Sequence, residues 1–176
     1  MAEGGLPKRL SFPLLLVFAC LAAAVYGAIN DQISYTVSPD YYHAFKFRQF
    51  AIPETMPPRF GAALVGVLAS WWMGLVIGLP VLGTGLILLR DRRAYLRSGL
   101  RAILVVLAAT FAAALAGLLV ETLFPSPPDR WWRPEGVDAV AFNRAGAMHN
   151  AAYLGGLIGL PIALILMWQA RGQPSG

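Results

Sequence analysis

R-D-R-R-A-Y-L-R-S-G-L-R (Arg90–Arg101) separates two long apolar runs, and its reading decides the fold. Five arginines, Arg90, Arg92, Arg93, Arg97 and Arg101, fall within these twelve residues. A dense basic connection between spanning-length segments marks the cytoplasmic side of a membrane. Upstream, residues 60–89 carry no charge. As a helix this run is roughly 45 Å long, so it must tilt or kink, and Pro80 is the expected kink. Downstream, residues 100–124 form an alanine-rich helix that ends at Pro125.

Two further spans lie outside this pair. Residues 10–29 follow Lys8-Arg9 as 20 apolar residues without a charge, enough to cross a hydrocarbon core. A signal peptide has a similar layout, and Val17-Phe18-Ala19-Cys20 has the outline of a lipobox. Phe18 fits that motif poorly and the apolar run continues past Cys20, so an uncleaved helix is expected. The fourth span covers 149–168, with Pro161 inside it. The chain thus reads as an all-α integral membrane protein, one four-helix domain over residues 1–176.

Composition agrees. Hydrophobic residues make up 57% and charged ones 13%, against roughly 25% charged in soluble domains. The net charge of +5 would suit nucleic acid, but the basic residues border apolar runs and are explained by orientation and anionic lipid, so no nucleic-acid partner is expected. Both termini are predicted to be cytoplasmic, in the inner membrane of a bacterium, with the loops 30–59 and 125–148 on the outer face. Trp131-Trp132 suits an interfacial belt. The single Cys20 excludes an intrachain disulfide.

The helix–long loop–helix unit occurs twice. Gly74-Leu-Val-Ile-Gly-Leu-Pro-Val81 aligns without gaps on Gly155-Gly-Leu-Ile-Gly-Leu-Pro-Ile162. Both units start on the same side, so a parallel internal repeat is expected, its glycine faces meeting at the bundle centre or at an interface between copies. Chance similarity between glycine-rich membrane helices is the plain alternative.

Function is less legible. Asp31, Glu54, Glu121 and His149 all fall near the outer boundary, and His43 lies in the first loop. Carboxylates with imidazole suit iron, manganese or zinc, so a metal-binding or proton-handling centre is expected, in a membrane metalloenzyme or redox protein. Glu121 is the most informative, because an acid inside an apolar run is costly and usually faces the bundle. No H-E-x-x-H, E-x-x-H or C-x-x-C spacing supports the group, and no nucleophile elbow or haem motif is present. Asp31 equally fits a helix-flanking residue, Glu121 an ion-pair partner of Arg130 or Arg144, His149 a helix-start hydrogen bonder, and Glu54 and His43 solvated loop residues.

The first loop has its own pattern. Ile33, Tyr35 and Val37 alternate with Ser34, Thr36 and Ser38, as in an extended segment. Tyr41, Tyr42, Phe45, Phe47 and Phe50 then surround Lys46 and Arg48. Such a segment can lie in the headgroup layer. It can also bind a lipid headgroup or quinone through Tyr35, Tyr41, Tyr42, Lys46 and Arg48. The alternative is a non-enzymatic subunit or assembly factor docking a membrane partner, or a second copy, through residues 35–50.

Overall fold

The computed structural model describes residues 8–127 and 132–172. Helix α1 (Lys8–Val37) leads into a π-helical turn (Tyr41–Lys46) and the short α2 (Phe47–Gln49). Helices α3 (Pro58–Ser70), α4 (Met73–Leu88), α5 (Arg92–Leu123) and α6 (Ala139–Ala170) follow. Counting α3 and α4 as one span, four helical stretches among the described residues are long and apolar enough to cross a membrane. Helix α1 presents an apolar stripe outward, with Leu14, Val17, Leu21, Val25 and Ile29 all more than half exposed. Outward-facing leucine, isoleucine and valine at helical spacing belong against lipid.

The helix ends depart from the sequence reading in ways that capping explains. Asp91 accepts from Ala94 N at 2.7 Å, so α5 starts before Leu100 and absorbs most of the arginine-rich connection. Asp138 accepts from Val140 N and Ala141 N, so α6 starts at Ala139 and not at His149. Each aspartate satisfies amide donors that would otherwise be orphaned. The expected extended segment at Ile33–Ser38 is also corrected: α1 runs on to Val37 and stops before Ser38-Pro39. Its alternation hid a helical face on which Asn30, Asp31, Ser34 and Ser38 are all buried.

The second span breaks at Trp71-Trp72, not at Pro80. There Gly74 N reaches Trp71 O and Leu75 N reaches Trp72 O, at 3.1 and 3.0 Å, so a tight turn keeps the backbone bonded. Pro80 and Pro161 lie inside α4 and α6 with exposed rings.

The helices pack as two hairpins, α1 against α3 and α4, and α5 against α6. Small residues make this possible. A Cβ on Gly66 would strike the Gly27 carbonyl of α1, and one on Gly74 would strike the backbone of Cys20. Gly155 lies against Ala109, Thr110 and Ala113 of α5, and Gly159 against Val106. The matched glycine faces therefore do not meet each other at the bundle centre; each is consumed inside its own hairpin. Across the hairpins, Leu15, Val81, Leu82, Tyr95, Ile103 and Met167 form the core near the Arg90 end. A second core near the opposite end joins Tyr41 and Tyr42 to Ala62, Val65, Phe142 and Ala145.

Candidate functional site

Between these two cores lies a buried polar cluster. Helix α1 supplies Asn30, Asp31 and Ser34, the π-helical turn supplies Tyr41 and Tyr42, and α6 supplies His149. His149 is nearly three turns into α6, at 3.6 residues per turn. That depth brings its ring beneath the first loop and beside Asp31.

His149 Nε2 is the point of convergence. It lies 3.8 Å from Asp31 Oδ1, 3.2 Å from Ser34 Oγ and 3.4 Å from the Tyr42 hydroxyl. Ser34 Oγ and the Tyr42 hydroxyl share a hydrogen bond of 2.5 Å. Tyr41 stacks on the imidazole, centroids 5.2 Å apart and planes 15° from parallel. The face-on ring and the two hydroxyls hold the imidazole in place. Asp31 is 2% exposed, and its Oδ2 has no hydrogen-bond partner among the described residues. Tyr26 donates to Asn30 Oδ1 at 3.3 Å beside the pair.

Burial, and secondarily the charge of Asp31, pushes the Tyr41 and Tyr42 hydroxyls well above the usual tyrosine range. Tyr42 thus remains a phenol that can donate to Nε2 or, with the proton on the imidazole, accept from it. Burial draws the Lys46 ammonium downward, partly offset by Asp31. Lys46 sits 4.8 Å from the Phe45 ring centroid and donates to Gln49 Oε1 at 3.1 Å.

Not all of the residues singled out in the sequence gather here. Both carboxylate oxygens of Glu121 accept from Ser126, Oε1 from the amide at 2.8 Å and Oε2 from the hydroxyl at 3.0 Å. Glu121 thereby closes the end of α5, and Ser126, not Arg144, is the partner seen; Arg130 lies outside the described residues. His43 is exposed and bonded to the Tyr35 hydroxyl at 3.1 Å. Glu54 and Arg48 are exposed. Among the described residues, no group of three or more His, Cys, Asp and Glu side chains is placed to hold a metal ion. Asp31 and His149 are two metal-capable groups, and the other polar side chains at His149 Nε2 are the hydroxyls of Ser34 and Tyr42, a poor fit to a four-ligand transition-metal site.

The aromatic segment folds inward. Tyr41 and Phe45 contact Phe142, Tyr42 meets Tyr41 and Phe47 edge-on, and Phe47 stacks on Tyr35 at 6.5 Å. Arg59 clamps the start of α3 to α1, donating to Gln32 O and Thr36 Oγ1 at 3.3 and 3.1 Å. Trp132 meets Phe45 edge-on; Trp131 lies outside the described residues.

Ser34, Asn30 and Tyr26 were not singled out in the sequence. The signal that could have found them is the spacing 26, 27, 30, 31, 34, 38, a stripe of small and polar residues with one tyrosine, at helical period in an otherwise apolar helix. Comparison with family models, curated proteins and solved structures finds no match. The fold and the cluster define a small α-helical membrane protein with a buried Asp–His pair joining its two hairpins.

Proposed function

We propose that the Asp31–His149 pair is a proton-handling centre at the outer end of the bundle, with Ser34 and Tyr42 as the hydroxyls that re-aim as the proton moves. The observation that carries this reading is the approach of Asp31 Oδ1 to His149 Nε2 at 3.8 Å, at the same nitrogen that faces the Ser34–Tyr42 hydrogen bond. One proton can reside on Nε2, facing a carboxylate, or on Asp31, facing an unprotonated nitrogen. Between the two states the hydroxyls of Ser34 and Tyr42 exchange donor and acceptor roles at Nε2, and the 3.8 Å gap must shorten to a hydrogen bond for the proton to cross. Ionisable groups buried in membrane spans are costly, so a pair placed there points to use in proton or ligand handling. The docking reading of residues 35–50 is less favoured, because their aromatic faces are taken up inside the protein.

The imidazole reports this directly. With His43→Gln leaving one histidine, the ring-nitrogen NMR signals of His149 are expected to respond to pH differently in Asp31→Asn than in the parent. Identical responses would show that Asp31 and His149 do not share a proton.

The cytoplasmic placement of the Arg90 connection belongs to the same proposal. In a Cys20→Ala background, an impermeant thiol reagent is expected to label Glu54→Cys in intact cells and to spare Arg90→Cys. The reverse pattern would invert the protein. We also infer a parallel repeat of the two hairpins. Its support is that Gly74 and Gly155 each seat on the preceding long helix, and that the register pairing Ala19 with Ala109 also pairs Asp31 with Glu121.

A further inference from the structure

A cleft descends from Asp31 and His149 between the two hairpins. It is a narrow slot with a cavity volume of about 90 Å³. Along α1 it reaches from Asp31 to Ala19, roughly 18 Å at the α-helical rise. Its deep walls are apolar, built from Ile77, Val81, Leu82, Ile103 and Val106. Most of its polar groups gather at one end, where Tyr26, Asn30, Asp31, His149 and Tyr153 line it; Ser70 and Thr110 are the others, and the Thr110 hydroxyl is spent on Val106 O. Among the described residues, no lysine or arginine lines it.

The polar end is short of one donor. Asp31 Oδ2 is buried without a partner: Tyr26 is committed to Asn30, Ser34 and Tyr42 to each other and to His149, and the half-exposed Tyr153 makes no hydrogen bond to it. A buried acceptor left unmet is costly, so an occupant that donates one hydrogen bond is favoured over a purely apolar chain. An anionic headgroup would meet the Asp31 carboxylate with no lining cation to balance it.

We propose that this cleft binds a neutral long-chain lipid bearing a hydroxyl group, its hydroxyl donating to Asp31 Oδ2 and its chain lying between α1, α4 and α5. The proposal names a ligand class for the proton-handling centre and rests on that reading for what the bound hydroxyl would do, but not for binding itself.

Gly156 offers a way to close the cleft without disturbing the hairpins. A Cβ there would have Ile77 and Thr110 as its nearest neighbours, both at 3.6 Å, which is ordinary contact. A leucine side chain would then project into the cleft. The test uses the full chain in lipid nanodiscs with photoactivatable hexadecanol, and with hexadecanoic acid and hexadecane carrying the same photoactivatable group. Hexadecanol is expected to label cleft residues such as Met73 and Ile77, to be displaced by unlabelled hexadecanol, and to exceed both analogues about tenfold, the worth of one charge-assisted hydrogen bond. Gly156→Leu should abolish that labelling, and Asp31→Leu should reduce hexadecanol to the level of hexadecane. Ala152→Leu, at another lining position, serves if Gly156→Leu does not fold.

Labelling that persists in the plugged variants, resists competition, or is equal for alcohol and acid would overturn the proposal. The His149 nitrogen signals separate the two readings. In Gly156→Leu they should still respond to Asp31→Asn if the proton-handling pair is real, whether or not an alcohol binds.

Discussion

Valine in place of Gly74 or of Gly155 is expected to unfold the corresponding hairpin. At Gly74 a Cβ would collide with the Cys20 backbone of α1. At Gly155 it would come within 2.6 Å of Ala113 Cβ and 2.8 Å of Ala109 O and Thr110 Cα. Backbone cannot swing aside as a flexible side chain can, so the helices must separate and forfeit packing along their length. A cost of about 3 kcal/mol or more is expected at either site, read from denaturant unfolding in detergent. Gly156→Ala, one residue away but facing the cleft, should stay within about 0.5 kcal/mol of the parent. Equal losses at Gly155 and Gly156 would contradict the assignment of faces. A marked difference between Gly74 and Gly155 would weaken the parallel repeat.

The second large effect concerns the buried pair. His149→Leu strands the Asp31 carboxylate, already short of a partner at Oδ2, and is expected to cost about 3–5 kcal/mol. Asp31→Leu is milder, about 1 kcal/mol, because His149 keeps Ser34 and Tyr42 as hydrogen-bond partners. The double variant removes both polar groups together and should be more stable than His149→Leu alone. A double-mutant cycle measures the difference. Strict additivity would mean that the two side chains stabilise the fold independently.

Much of the architecture was legible because lipid demands long uncharged runs, and residues 10–29 and 60–89 contain no charge at all. The helix starts were readable in principle: Asp91 and Asp138 stand where N-caps belong, but the arginines after Asp91 read as a loop. The polar stripe of α1 was concealed for a different reason. Ile33, Tyr35 and Val37 imitate strand alternation, while the residues that face inward are the polar ones, the inverse of a water-soluble amphipathic helix.

Of the cluster, Asp31, His149, Tyr41 and Tyr42 were legible as candidates, while Asn30, Ser34 and the grouping itself were not. Asp31 and His149 are drawn together by hairpin packing between residues far apart in the chain, which no local spacing records. Glu121 looked like their natural third member because an acid near a span end should face something polar. It does, but Ser126, just past the end of its own helix, satisfies it. Tyr42 belongs to the site because the π-helical turn after Pro39 brings it back over α1, a geometry that composition does not announce.

The most direct measurement of the shared proton is the infrared carboxyl stretch of Asp31 as a function of pH. The band is assigned by its loss in Asp31→Asn and its retention in Glu121→Gln. Shared with His149, the proton should give a band whose position and pH dependence both change in His149→Gln, and whose position shifts again in Tyr42→Phe. A band that titrates identically with and without the imidazole would contradict the proton-handling pair.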